Sequence, residues 1–219
     1  MNARRHTVVT RWWWIRHAPV RRHENRLYGQ DDLPADVSDA TSFAGLASGL
    51  PAGALWVTTH LQRTHQTAAA IAAAGHEVPE ALIERDFVEQ HFGAWQGLTF
   101  AEIEQAMNGA QHKFWIAPAH HAPPEGESFL DVIARTGRAI ERFTRDHGGR
   151  DIVAVAHGGT IRAALQIALG APPDRCLAFT IDNLSLTRID HIDGPGEGGQ
   201  WRVVAVNAPP KPLGLRDRR

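Results

Sequence analysis

The 219-residue chain is 43% hydrophobic and 21% charged, which suits one sizeable globular domain and excludes a disordered or fibrous polypeptide. Its formal net charge of -1 gives no global field directed at nucleic acid or an anionic membrane. The one cysteine, Cys176, excludes an internal disulfide, and no apolar run reaches the roughly 20 residues of a membrane helix. With no apolar signal segment near the start, the expectation is a cytoplasmic protein, monomer or homodimer, without nucleic-acid or membrane partners.

In chain order, Thr7 to Ile15 (TVVTRWWWI) is β-branched and aromatic and reads as a strand ending at Arg16-His17. Its tryptophans fit a strand buried on both faces better than a base-stacking platform. Pro19 opens a polar loop through Tyr28-Gly29 to Pro34. A short helix over Asp39 to Leu50 precedes a strand at Ala54 to Val57 and an alanine-rich helix from Leu61 to Ala74, closed by Gly75. Leu82 to Asp86 reads as strand and Glu89 to Leu98 as loop. Thr99 with Glu102, and Ser128 with Asp131, signal helices to about Met107 and to Asp146. Between them, Ala117 to Gly126 carries three prolines and reads as irregular loop.

Asp151 to Ala156 (DIVAVA) has the continuous apolar character of a central parallel strand. It runs into His157-Gly158-Gly159 and a helix over Thr160 to Leu169. Two last strands, Asn183 to Ile189 and Trp201 to Val206, flank the glycine-rich turn Gly194 to Gly199. Alternating strands and helices make one α/β domain over 1–208, followed by a proline-rich, charged tail over 209–219 that is expected to be disordered.

Two histidines, His17 and His157, therefore stand directly after apolar strands, where α/β sheets bind ligands. Arg16 precedes the first, and Arg63 opens a helix after another strand. Two histidines, two arginines and a helix N-terminus suit a tetrahedral dianion. Arg162, one turn into its helix, reads as a solvated or salt-bridged residue. His112, His120 and His121 lack the spaced Cys or acidic partner of a metal site, so no metal is expected.

Five segments resemble, in order, those of the histidine phosphatase superfamily, the phosphoglycerate mutase-like proteins. They are Trp-Ile-Arg-His (14–17), the stretch from Thr58 to Ala68, Glu89 to Gly97 (EQHFGAWQG), Pro124 to Ser128 (PEGES) and Val155 to Gly159 (VAHGG). The resemblance covers about Trp12 to Leu186. It implies a three-layer α/β/α sandwich with a mostly parallel central sheet and a phosphohistidine mechanism without cofactor or metal. His17 would be the nucleophile, with Arg16, Arg63 and His157 on the phosphoryl oxygens. Glu89, chosen over its neighbours Glu84 and Asp86, would be the proton donor and acceptor.

After the nucleophile the chain departs from the family, reading Ala18-Pro19-Val20 and then Arg21-Arg22-His23-Glu24-Asn25. His23 or Asn25 is expected to replace the family's phosphate-binding asparagine, with Tyr28, Gly29 and Gly158 lining the same pocket. The short chain between Trp95 and Ser128 favours hydrolysis over mutase activity. The expected substrate is a small phosphomonoester such as a sugar phosphate, a nucleotide or α-ribazole phosphate. A cofactor-dependent phosphoglycerate mutase, a phosphohistidine protein phosphatase and a non-catalytic regulatory member of the fold are the alternatives.

Overall fold

A computed structural model describes residues 7–21, 25–107, 112–197 and 199–210. His23, Arg22, Glu24 and the tail beyond Pro210 lie outside the described residues. Six strands form one sheet: β1 (Val8–Arg16), β2 (Leu55–Thr58), β3 (Leu82–Ile83), β4 (Asp151–Ala156), β5 (Leu186–Asp193) and β6 (Trp201–Ala208). Their order is β3-β2-β4-β1-β5-β6. The β3–β2, β2–β4 and β4–β1 pairs are parallel, and β5 runs antiparallel to both β1 and β6.

Helices cover both faces, as expected for three layers. On one side α4 (Phe129–Asp146) and α5 (Gly158–Leu169) bury Ile140, Phe143, Ile161 and Leu165 against Trp12 and Trp14. On the other, α1 (Ala40–Gly49) and α2 (Gln62–Ala73) bury Phe43, Leu46, Ala68 and Ile71 against Trp13 and Ile15. The alternation along β1 produces this split, because successive side chains of a strand point to opposite faces. Trp12 and Trp14 stack with centroids 5.1 Å apart, and the Trp12 indole N–H donates to Thr144 Oγ1 at 3.0 Å. That bond removes the polar cost of burying a tryptophan completely.

Both capping boxes form, Thr99 with Glu102 at α3 (Phe100–Ala106) and Ser128 with Asp131 at α4. Some boundaries differ from expectation. The strand expected over Leu82 to Asp86 stops at Ile83, and Arg85–Phe87 turns into a short 3-10 helix capped by Glu84. The turn swings Phe87 inward, where its ring meets Trp14 edge-on at 5.0 Å. α5 begins at Gly158, two residues early, which makes His157 its N-cap residue. β5 begins at Leu186, leaving Asn183 in a loop beside Leu184, whose φ of 60° breaks the extended run. A short helix α6 (Pro173–Cys176) was not anticipated; Pro173 opens it, and Cys176 is a fully buried apolar residue.

Candidate active site

Strand order brings the two histidines together. The parallel β1 and β4 end in register at Arg16 and Ala156, so His17 and His157 leave the same sheet edge side by side. The His17 N–H donates to Ala156 O at 3.0 Å, and the two imidazole centroids lie 5.2 Å apart. β2, the other neighbour of β4, delivers Thr59 to the same place, its hydroxyl 3.0 Å from His157 Nε2.

The His17 ring nitrogens have assignable roles. His17 Nδ1 lies 2.7 Å from Ala18 O, and a carbonyl only accepts, so Nδ1 carries the proton and Nε2 keeps its lone pair. For His157, Nε2 lies 3.0 Å from the Thr59 hydroxyl, which also stands 3.3 Å from Thr64 Oγ1, while the Thr64 hydroxyl donates to Leu61 O at 2.8 Å. Both histidines are held well below the usual imidazole pKa. Burial is the main cause for each, followed by Arg63 and Arg16 for His17 and by Arg63 and His17 for His157.

The arginines are tethered and yet incompletely used. Arg16 Nη1 donates to Ile181 O at 2.6 Å. Arg63 is fully buried, donating from Nη1 to Asp31 O at 2.7 Å and from Nη2 to Gly29 O at 2.6 Å. Its guanidinium lies over the Tyr28 ring at 5.2 Å. Among the described residues, Arg16 Nε and Arg63 Nε are buried donors with no hydrogen-bond partner, and His157 Nδ1 is a buried ring nitrogen without one. Buried polar groups are almost always satisfied, so three orphans around one histidine indicate an anionic ligand.

Glu89 completes the arrangement from a loop. Its carboxylate accepts N–H bonds from Gly159 at 3.1 Å and Gln90 at 2.9 Å, at the first turn of α5. This is a more polar setting than its aromatic neighbours in sequence suggest. Glycine at 159 leaves room for this carboxylate, since a Cβ there would overlap Glu89 Oε1 and push it aside. The loop is pinned from behind by Arg135, which pairs with Glu127 through Nε (3.0 Å) and Nη2 (2.8 Å) and donates from Nη2 to Glu89 O at 3.1 Å. Glu84 is spent on Arg142, and of the three carboxylates Glu84, Asp86 and Glu89 it is Glu89 that lines the cavity.

That cavity measures about 590 Å³, with Arg16, Tyr28, Gly29, Glu89, Trp115 and Asn183 among its lining. Gly158 is not part of that lining but packs beside Arg16, where a Cβ would stand 3.1 Å from Arg162 Nη1 and 3.7 Å from Arg16 Nε. A second cavity, about 700 Å³, lies at the other end of β1 between Val8, α4 and Trp201, away from the carboxyl ends of β1, β2 and β4.

Two further expectations change. Asn25 is exposed, with φ of 58°, and does not line the cavity, so it is not placed to hold phosphate. Asn183 stands nearer the chemistry, lining the cavity and donating from Nδ2 to His17 O at 2.8 Å. Arg162 is not solvated, and among the described residues it has no salt bridge. It is buried, donates from Nε to Phe179 O at 2.8 Å and lies 4.3 Å from the Trp115 ring centroid. Burial brings its pKa down to about 10, with Glu89 opposing the shift. His121 stacks on Trp95 at 5.5 Å, and among the described residues no group of three or more His, Cys, Asp or Glu is placed to hold a metal ion.

A sheet whose adjacent strand ends present two neutral histidines and a ring of guanidiniums defines an anion-handling α/β protein. Residues 12–209 match the histidine phosphatase superfamily (branch 1), and the chain belongs to that family. A bifunctional protein of Mycobacterium tuberculosis is 32% identical over 182 residues, 81% of this chain and 49% of that protein. The chain thus spans about half the length of the first curated relatives it matches. The glucosyl-3-phosphoglycerate phosphatase of the same organism is 30% identical over 198 residues, 84% of this chain and 87% of that one. Among solved structures, native mycobacterial glucosyl-3-phosphoglycerate phosphatase aligns with TM-score 0.74 and 26% identity, covering 91% of this chain and 99% of that one. Bacillus stearothermophilus YhfR aligns with TM-score 0.76 and 26% identity over 91% of this chain and 97% of that one.

Proposed function

We propose that this chain is a cytoplasmic phosphomonoesterase that hydrolyses a small phosphorylated metabolite through a phosphohistidine on His17, without a metal ion. One observation carries the reading: an uncharged nucleophilic nitrogen, His17 Nε2, stands at a site where three buried nitrogens lack partners. In the first displacement, Nε2 attacks phosphorus, the N–P bond forms, and the P–O bond to the leaving group breaks. Glu89, entering protonated, gives its proton to the departing oxygen. In the second, Glu89 takes a proton from water, the water oxygen bonds to phosphorus, and the N–P bond breaks. Phosphate leaves and Glu89 is again protonated.

Arg16, Arg63 and His157 supply positive charge and N–H donors where equatorial oxygens gather charge in each transition state. They need little reorganisation, because Ile181 O, Asp31 O, Gly29 O and Thr59 already orient them. The phosphatase names of several relatives support the reading, including the glucosyl-3-phosphoglycerate phosphatase of Mycolicibacterium vanbaalenii, 32% identical over 222 residues. No helix among the described residues is long and apolar enough to cross a membrane.

The direct test is a rapid acid-free quench of the protein with a phosphomonoester in the presence of chelator, followed by peptide mass spectrometry. An acid-labile phosphate on the His17 peptide, absent from His17→Ala, is the expected result. Phosphate release without that adduct in either protein would refute the covalent route. Sustained isomerisation of 3-phosphoglycerate with little phosphate release would instead establish a mutase.

A further inference from the structure

Most of the cavity lining outside the reacting centre is aromatic or aliphatic, and its mouth shows this best. Phe100 and Phe114 both line it and are each 59% exposed. A single exposed phenylalanine is ordinary, but two at the mouth of one cavity that leads to the reacting atoms are not. Neither is exposed because its backbone is loose. Phe100 is the first residue of α3, fixed by the capping box of Thr99 and Glu102. Phe114 stands at the tip of a two-residue turn closed by the His112–Trp115 bridge, and its N–H donates to His112 Nδ1 at 3.2 Å. Trp115 is held in turn by the Arg162 guanidinium against its ring.

Beside Arg16, Glu89 and Asn183 of the reacting side, the lining holds Val20, Leu27, Phe92 and Ile116, together with the cations Arg26 and Lys113. Arg26 is engaged with Gly97 O and Glu102, and Lys113 has its Nζ 5.6 Å from the Phe114 ring centroid. Against the aliphatic and aromatic part a polyhydroxylated leaving group would have hydroxyls facing hydrocarbon, and each unpaired buried polar group is costly. A flat or extended apolar group would meet aromatic faces and displace water from them.

Building on the phosphatase reading above, we infer that the preferred substrates are phosphomonoesters whose leaving alcohol carries an aromatic or extended apolar body. That body lies along the wall between Tyr28 and Trp115 and reaches Phe100 and Phe114 at the mouth.

The test compares propyl phosphate with phenylpropyl phosphate, whose leaving alcohols are of near-equal basicity, so that a rate difference reports recognition and not leaving-group chemistry. Wild type should show kcat/KM about tenfold to a hundredfold higher for the phenylpropyl ester. It should also favour that ester over glucose 6-phosphate. In the Phe100→Ala/Phe114→Ala double variant the ratio between the two alkyl esters should fall towards one. If the double variant is unstable, Phe114→Ala alone, at an exposed turn tip, should lower the ratio part of the way. A wild-type ratio near one, a preference for the sugar ester, or a ratio unchanged by the substitutions would each overturn the inference while leaving the phosphatase reading intact. Failure to release phosphate from these esters and from para-nitrophenyl phosphate alike would sink the phosphatase reading itself.

Discussion

At the carboxyl ends of β1, β4 and β2 the reacting side chains are held by backbone atoms in a dry interior, whereas the outer wall of the cavity is made of loop tips and helix starts open to water. His17 and His157 are 1% and 0% exposed, against 59% for Phe100 and Phe114. The floor is over-determined. His17 is gripped through its N–H, its carbonyl and its Nδ1, and Arg63 spends both Nη groups on the loop that carries Tyr28. The wall has looser supports, such as a two-residue bridge at 112–115. The difference teaches that the chemistry and the choice of substrate are separable here. Floor substitutions should slow every ester alike, while wall substitutions should reorder esters.

The largest loss is expected from Arg63→Lys. The ammonium keeps the charge but cannot hold Gly29 O and Asp31 O with one group and aim a third N–H at phosphate. A drop in kcat/KM of about a hundredfold to a thousandfold is expected for propyl and phenylpropyl phosphate equally. Measuring both esters checks it; an ester-dependent loss would break the division between floor and wall. Next comes Gly159→Ala, whose methyl would displace the Glu89 carboxylate. Steady-state kinetics should show kcat lowered about a hundredfold with little change in KM, since proton transfer fails while phosphate still binds. Smaller again is Thr59→Val, which removes the hydroxyl that orients His157 Nε2. About a tenfold loss is expected, the worth of one hydrogen bond, with Thr59→Ser restoring activity. Equal activity in Val and Ser variants would mean that Thr59 only packs.

Much of the floor was legible in the sequence because it depends on local rules. An apolar strand ending in Arg-His, another ending in His-Gly-Gly, and two capping boxes are short-range signals that tertiary structure kept. Arg162 was misread although a signal existed: it lies four residues after Gly158, one helical turn away on the same face, and so beside the anion site. Asn183 could not be found this way. It reaches His17 O across 166 positions of chain, and its place depends on β5 running antiparallel beside β1. Glu89 lines the cavity, but its surroundings were not legible, because the Gly159 N–H that meets it comes from a helix 70 residues on. Arg135 pairs locally with Glu127, eight residues before it, but its contact with Glu89 O spans 46 positions and was hidden for the same reason.

The smallest expected effect concerns stability and sharpens what burial does to the floor. Both histidines have pKa values held well below 6.5, chiefly by burial. Below about pH 6.5 the unfolded chain therefore takes up protons that the folded chain refuses, and linkage makes folding less favourable as pH falls. The stability is whole above that pH and declines beneath it, by up to about 1.4 kcal/mol per pH unit for each such histidine. For a chain of this size each kcal/mol corresponds to roughly 2–4 °C in Tm. Thermal melts between about pH 6.5 and pH 5 should show a shallower decline for His17→Gln than for wild type, because one of the two proton-refusing groups is gone. Phe114→Ala, on the wall, should track the wild-type slope. Identical slopes for wild type and His17→Gln would mean that His17 is protonated inside the fold, which would remove the lone pair on which the phosphohistidine route depends.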